Sequence, residues 1–144
     1  RKLIEKLYQA SNSGVKIELI IRGICCLVPG VKNQSENIEV ISIVDRYLEH
    51  ARFMVFGNNG KPLYFLTSAD WMERNLDKRI EVGCPVLSEN LQRELDLIFD
   101  YQWRGNNKAR IIDKKQKNKY REIRNNHSFH YQEEMYAHYR VNVE

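Results

Sequence analysis

Apolar and polar positions recur with two different periods along the chain, which predicts a mixture of helices and strands. Over residues 1–12 the apolar side chains have helical spacing, and the Ser11–Gly14 segment is typical of a helix end. From Val15 to Ile21 the pattern alternates and then becomes wholly apolar. That change indicates a strand that enters the centre of a sheet.

Further apolar runs predict strands at Val40–Val44, Phe53–Phe56, Leu63–Leu66, Ile80–Val82 and Ala109–Ile112. Gly57–Pro62 favours a hairpin, because Asn and Gly adopt positive φ at little cost. Two more helices are predicted. The first is capped by Ser88 and ends near Gly105, with an apolar stripe at Leu91, Leu95, Ile98 and Phe99. The second covers Phe129–Tyr139. This order of elements predicts an α/β layered domain around a mixed sheet.

The length and composition fit one soluble domain over residues 1–144, with 42% hydrophobic and 29% charged residues. No apolar run approaches the roughly 20 residues that span a bilayer, so we expect a cytoplasmic protein. Cys25, Cys26 and Cys84 offer no C-x-x-C pair and are expected to be reduced and mostly buried. Because Arg1 falls at or just before a helical pattern, we expect the chain to be part of a longer protein.

Positive charge is concentrated in residues 106–126, which carry eight basic and two acidic residues, or +6, in a chain of net charge +4. Such a segment is a candidate landing site for a polyanion, and Lys114, Lys115 and Lys117 are its densest part. The alternative is a solvated, mobile, lysine-rich loop. Tyr120 is the one aromatic residue inside the run, so we do not predict nucleic-acid binding.

A cluster of charge lies between two apolar strands, at Asp45–Arg52, and it contains His50. Charge beside a core costs free energy, which favours the edge of a pocket that handles an anion. The alternative is a partly exposed histidine in a surface ion-pair network. The sequence alone does not distinguish between the two interpretations.

Other polar side chains follow predicted strands. Arg22 comes at the carboxyl end of a strand, where ligands bind in open α/β sheets. A guanidinium at such a position is suited to binding phosphate. The alternative is that Arg22 pairs with a surface carboxylate. Ser68, Asp70 and Asn75, around Trp71, follow the strand Leu63–Leu66 and could supply polar contacts at the same edge, with Trp71 and Met72 as core packing. Arg79 and Glu81 flank Ile80 as a same-face pair on a strand, for which a structural role is favoured.

Several of these segments together resemble the C-terminal region of bacterial polyphosphate kinase. The similar blocks occur in order at compatible spacing: Ser13–Val15, Ile21–Cys25, Ile41–His50, Ser68–Asp77 and Arg79–Val82. The match covers about residues 1–120, and residues 121–144 resemble the family less closely.

The resemblance implies a phospholipase-D-like α/β/α layered domain with a mixed central sheet. It implies the last domain of an enzyme that reversibly transfers the terminal phosphate of ATP to inorganic polyphosphate, through a phosphohistidine on the preceding domain. No residue of this chain matches that histidine, and the Mg²⁺ ligands also belong to the other domains, so no metal ligand is assigned here. ATP, ADP, polyphosphate and the upstream domains are the implied partners, in a cytoplasmic homo-oligomer that associates with membranes in some settings.

The resemblance also implies functions for individual residues. His50 and Arg22 match family positions that contact ATP phosphates, and His50 is the candidate second catalytic histidine. Asp45 or Glu49 is a candidate to hold the imidazole in its useful tautomer, and the sequence does not distinguish between them. The remaining secondary candidates are Ser68, Asp70, Arg79 and Glu81, with Lys114, Lys115 and Lys117 as polyanion guides.

One departure concerns the phospholipase-D signature, in which lysine stands two positions after the histidine and aspartate five positions after the lysine. Counted from His50, those two positions hold Arg52 and Gly57. This argues against phosphodiester hydrolysis and leaves the kinase interpretation unchanged. A phospholipase-D-like phosphodiesterase half-domain and a non-catalytic polyanion-binding or subunit-contact module stay open as alternatives.

Overall fold

A computed structural model of the chain describes residues 1–105, 107–122 and 128–141. These residues form two compact units, the first made of Arg1–Glu49 with Ile98–Glu144 and the second of His50–Leu97. In chain order the elements are α1 (Lys2–Asn12), β1 (Ile17–Ile20), β2 (Ile38–Ile43), β3 (Phe53–Phe56), a 3-10 turn (Asn58–Gly60), β4 (Leu63–Thr67), α2 (Glu73–Lys78), β5 (Gly83–Pro85), α3 (Glu89–Arg104), β6 (Ala109–Ile112) and α4 (Tyr131–Val141).

The first unit is built on a mixed three-stranded sheet in the order β1-β2-β6. β2 runs parallel to β1 and antiparallel to β6. Its side chains are buried on both faces, as the apolar run predicted. Ile38 and Val40 pack with α1, whereas Ile41 and Ile43 pack with Tyr131 of α4 and with aromatic residues of α3. Helices therefore cover both faces of this sheet.

The second unit contains an antiparallel sheet in the order β3-β4-β5. The predicted hairpin is confirmed, with Phe53 opposite Leu66 and positive φ at Asn58 and Asn59 in the connecting turn. The predicted α/β class is also confirmed, but the strands lie in two small sheets rather than one mixed sheet. The pattern along one strand does not encode which sheet the strand joins.

The predicted strand at Ile80–Val82 is wrong, because the strand begins at Gly83. Val82 instead donates its N–H to the Ser68 hydroxyl at 3.0 Å, and its carbonyl accepts from the Ser68 N–H at 3.0 Å. Ile80 is completely exposed. One side-chain and one backbone hydrogen bond to Ser68 thus hold Val82 at this point, in place of a continuous strand ladder.

Several burial predictions are also wrong. Trp71 and Met72 are 42% and 41% exposed, and Leu91 of the predicted apolar stripe is 58% exposed. The cysteines are free, as predicted, but Cys26 and Cys84 are exposed and Cys25 is half-buried. No helix in the described ranges is long and apolar enough to cross a membrane.

Candidate active site

The chain that leaves β2 carries a buried carboxylate, Asp45. Its side chain is 4% exposed, and its Oδ2 lies 3.2 Å from Nε2 of His130, just before α4. Oδ1 accepts the Arg46 N–H at 2.7 Å. The Oδ2–Nε2 contact does not have hydrogen-bond alignment. The attraction is therefore mainly electrostatic, and it reaches full strength when the imidazole ring is protonated.

Glu49 lies further along the same segment and binds the start of α4. Its carboxylate accepts the Tyr131 hydroxyl, Gln132 Nε2 at 2.8 Å and Gln102 Nε2 at 3.2 Å. Burial, and then the Glu49 carboxylate, raise the pKa of Tyr131 far above its usual value. Gln132 also pairs with the backbone of Tyr47 in both directions, at 3.2 and 3.0 Å. These contacts fix the course of the segment that leads to His50.

The second unit begins with His50, whose ring is exposed and contacts an ion pair. Arg52 Nη2 lies 3.0 Å from His50 Nε2, and Arg52 Nη1 lies 3.3 Å from the His50 carbonyl. On its other side Arg52 Nε donates to Asp70 Oδ1 at 2.7 Å. The hydrogen bond to Asp70 raises the pKa of Arg52 above its usual value. His50 therefore lies beside a fixed positive charge and is open to a solvent-borne anion.

Ser68, Asn75 and Glu81 form a separate polar cluster in this unit. The Glu81 carboxylate accepts the Ser68 hydroxyl and, at 2.7 Å, Asn75 Nδ2. These two hydrogen bonds, Ser68 first, lower the pKa of Glu81, and the charges of Arg79 and Arg52 add to the effect. The predicted Arg79–Glu81 strand pair is thus replaced by contacts that connect β4, α2 and the chain before β5.

The lowered pKa of Glu81 predicts a pH-dependent contribution to stability. A carboxylate whose pKa is lowered in the folded state stabilises that state above its ordinary pKa of 4.5 and loses this contribution as pH falls through the folded value. We expect Glu81→Gln to lower the melting temperature at neutral pH, and the difference from wild type to shrink in acid. Melting curves across pH test this, with Glu36→Gln, an exposed carboxylate, as control. A difference independent of pH would contradict it.

Arg22 is placed as the sequence predicted, two residues beyond β1 and half-buried. Its backbone neighbour Ile21 continues the parallel ladder by donating to the Ile41 carbonyl at 2.9 Å. The parallel pairing sets the carboxyl ends of β1 and β2 at the same edge of the sheet. Arg22 and the Asp45 segment therefore leave the sheet on the same side.

The basic segment is folded back beside β6 in the part that the structure describes. Ile111 donates to the Lys119 carbonyl and Arg121 to the Ala109 carbonyl, each at 2.8 Å. The Arg110 guanidinium stacks 3.9 Å from the Tyr120 ring centroid. Lys114, Lys115 and Lys117 are exposed at the turn. Residue 106 and residues 123–126, including Arg124, lie outside the described residues.

Sequence reasoning missed His130, Tyr131, Gln132 and Gln102 as partners of the Asp45–Glu49 segment. They lie far along the chain, and no local pattern connects them to that segment. Arg52 had a local signal, since it comes two positions after His50 in a charged run. The sequence places it in the charged Asp45–Arg52 cluster and as a departure from the phospholipase-D signature, but does not show it as a partner of the His50 ring.

Comparison with known proteins gives the family. Residues 1–132 match the family model described as polyphosphate kinase C-terminal domain 2. The chain belongs to this family. The resemblance seen in the sequence blocks is thereby confirmed, and the match extends into α4.

Named relatives of this polyphosphate kinase domain agree. The chain is 51% identical over 142 residues to polyphosphate kinase of Vibrio cholerae, a match over 99% of this chain and 20% of that protein. It is 48% identical over 114 residues to polyphosphate kinase of Bacillus anthracis, over 79% of this chain and 16% of that protein. The crystal structure of polyphosphate kinase from Porphyromonas gingivalis superimposes with a TM-score of 0.94 at 45% identity, over 99% of this chain and 22% of that one. The chain thus spans about a fifth of the length of these relatives.

Proposed function

We propose that this chain is the C-terminal catalytic domain of a polyphosphate kinase that reversibly transfers the terminal phosphate of ATP to inorganic polyphosphate. The observation that carries the proposal is the match over 99% of the chain, at 45% identity and a TM-score of 0.94, to a polyphosphate kinase. The mixed sheet with helices on both faces supports a phospholipase-D-like α/β/α layering for the first unit. The contacts of His130 with Asp45 and of α4 with Glu49 support treating residues 121–144 as part of the same domain.

In this proposal Arg22 and His50 act on the phosphates of ATP. Phosphoryl transfer spreads negative charge over the transferred and leaving oxygens, and catalysis is mainly positioning and electrostatic stabilisation. A guanidinium at the carboxyl end of a strand is a fixed bidentate donor for such charge. His50 donates a proton or a hydrogen bond to the leaving ADP oxygen. The nucleophilic histidine and the Mg²⁺ ligands belong to other parts of the enzyme.

The activity is tested on the complete protein that contains this chain. We expect polyphosphate synthesis from ATP, ATP synthesis from polyphosphate and ADP, and no hydrolysis of a phosphodiester such as bis(p-nitrophenyl) phosphate. Diesterase activity without phosphoryl transfer would favour the phosphodiesterase half-domain. Polyphosphate binding with neither activity would favour the non-catalytic module.

The exposed lysines at the β6 turn are proposed to guide the polyanionic chain. Reversing Lys114, Lys115 and Lys117 to Glu should weaken polyphosphate binding by about tenfold, because it replaces local attraction with repulsion. The synthesised chains should become shorter, as gel electrophoresis of the products would show. Lys2, Lys6 and Lys32 reversed to Glu change the net charge equally on other exposed surface and serve as control. An unchanged chain-length distribution would exclude guidance.

A further inference from the structure

The contact between Arg52 and His50 determines where the imidazole can carry its proton. Arg52 Nη2 lies 3.0 Å from His50 Nε2. A guanidinium has only N–H donors and no acceptor, and it stays charged at any pH that a folded protein meets. Nε2 must therefore be the acceptor in this contact. A neutral ring that accepts at Nε2 carries its proton on Nδ1.

Arg52 is held in place by contacts that do not involve the His50 ring. Its Nε donates to Asp70 Oδ1 at 2.7 Å, and its Nη1 lies 3.3 Å from the His50 backbone carbonyl. The side chains of Arg52 and Asp70 are only 19% and 28% exposed. A charge-assisted pair with this little solvent contact positions a planar guanidinium more firmly than a fully exposed pair does.

The geometry of this contact does not fit a proton on Nε2. Imidazolium carries a proton on both nitrogens, so Nε2–H would point at the Nη2–H of Arg52. Two donors and two positive charges would then face each other at 3.0 Å. The neutral ring with Nδ1–H turns the same contact into a hydrogen bond.

We propose that Arg52, anchored by Asp70, is a positioning residue that keeps His50 neutral with its proton on Nδ1, so that the exposed ring presents Nδ1–H to a substrate oxygen. The identity of that oxygen, on a phosphate of ATP, rests on the proposed function. Arg52 acts through His50. This narrows the proposed role of His50 from a donor of a proton or a hydrogen bond to a directed hydrogen-bond donor.

The tautomer is measured directly by magic-angle-spinning NMR of the complete protein with ¹⁵N- and ¹³C-labelled histidine rings, at neutral pH and without nucleotide. The His50 signals are those that disappear in His50→Gln. We expect the wild-type ring to be neutral with the proton on Nδ1. In Arg52→Met, which removes the donor, the Nδ1–H form should fall to a minority, and the Nε2–H form and imidazolium should increase. Arg93→Met, the same change at an exposed site on α3, should leave the His50 signals unchanged.

Two results would overturn the inference: a wild-type His50 that is mainly Nε2–H or imidazolium, or an unchanged tautomer in Arg52→Met. If Arg52→Met does not fold, Asp70→Asn is the milder variant, and it should shift the His50 tautomer populations in the same direction, whereas unchanged populations would again overturn the inference.

Kinetics give a second readout. Arg52→Met should lower kcat for polyphosphate synthesis by about tenfold and leave KM for ATP nearly unchanged, because donor orientation matters most in the transition state. A variant that raises KM alone would contradict a positioning role. Because the NMR readout needs no substrate, normal synthesis by His50→Gln would remove the proposed role of His50 in the chemistry without affecting the tautomer assignment.

Discussion

Replacing His50 with alanine in the complete protein is expected to lower ATP-dependent polyphosphate synthesis by about a hundredfold or more, the range for removal of an acid–base or charge-stabilising group. The physical reason is that the leaving ADP oxygen gains negative charge in the transition state and loses its donor. The ring is exposed in this chain, and its described contacts are with Arg52, so its removal leaves no cavity in either hydrophobic core. The variant should therefore keep its fold, and the loss of activity should appear as a lower kcat.

Initial rates of synthesis from ATP measure the effect, with thermal melting of the same samples to establish folding. Added imidazole should restore part of the activity of His50→Ala, because the vacated position is open to solvent. Near-normal synthesis from a folded His50→Ala variant would make His50 a structural surface residue. It would also return the domain to the binding-module interpretation.

The elements that could be predicted are those with a local cause. The β3–β4 hairpin follows from two apolar runs joined by residues that accept positive φ, and its first strand has the predicted bounds. β2 follows from a run of apolar residues long enough to be buried on both faces. Arg22 could be placed at a strand end because it directly follows an apolar run that predicts a strand.

The elements that could not be predicted depend on partners distant in the chain. α2 is six residues long and has no apolar stripe, and Asn75 within it is held by Glu81 from a later segment. Trp71 and Met72 read as core because they are apolar, yet burial depends on a covering surface that a sequence pattern does not reveal. Proximity along the chain suggests Asp45 or Glu49 as the carboxylate that holds the His50 ring, whereas their described side-chain partners lie in α3, just before α4 and in α4.

The environment of Asp45 leads to the second large expected effect, which is on local stability. Asp45→Ala removes a carboxylate that is 4% exposed and that is the nearer of two beside His130, which is 19% exposed; the other, Glu133, lies 4.0 Å from His130 Nδ1. Loss of a hydrogen bond or contact to a buried charged group costs about 2–3 kcal/mol. Because α4 is joined to the Asp45–Glu49 segment through this pair and the Glu49 contacts, the cost should appear as easier opening of α4.

Hydrogen exchange measured by mass spectrometry on the complete protein reports that opening segment by segment. A cost of about 2–3 kcal/mol corresponds to exchange about 30- to 150-fold faster in α4, since each 1.4 kcal/mol is about a factor of ten. Asp100→Ala is the matched control, because its ion pair with Arg104 is about half exposed at both ends and should change exchange by only about twofold. Asp45→Asn, which keeps the shape and removes the charge, should fall between the two. Equal exchange in Asp45→Ala and Asp100→Ala would mean that the Asp45–His130 pair does not hold α4, which would then depend on core packing and on the Glu49 carboxylate, to which Tyr131, Gln132 and Gln102 all donate.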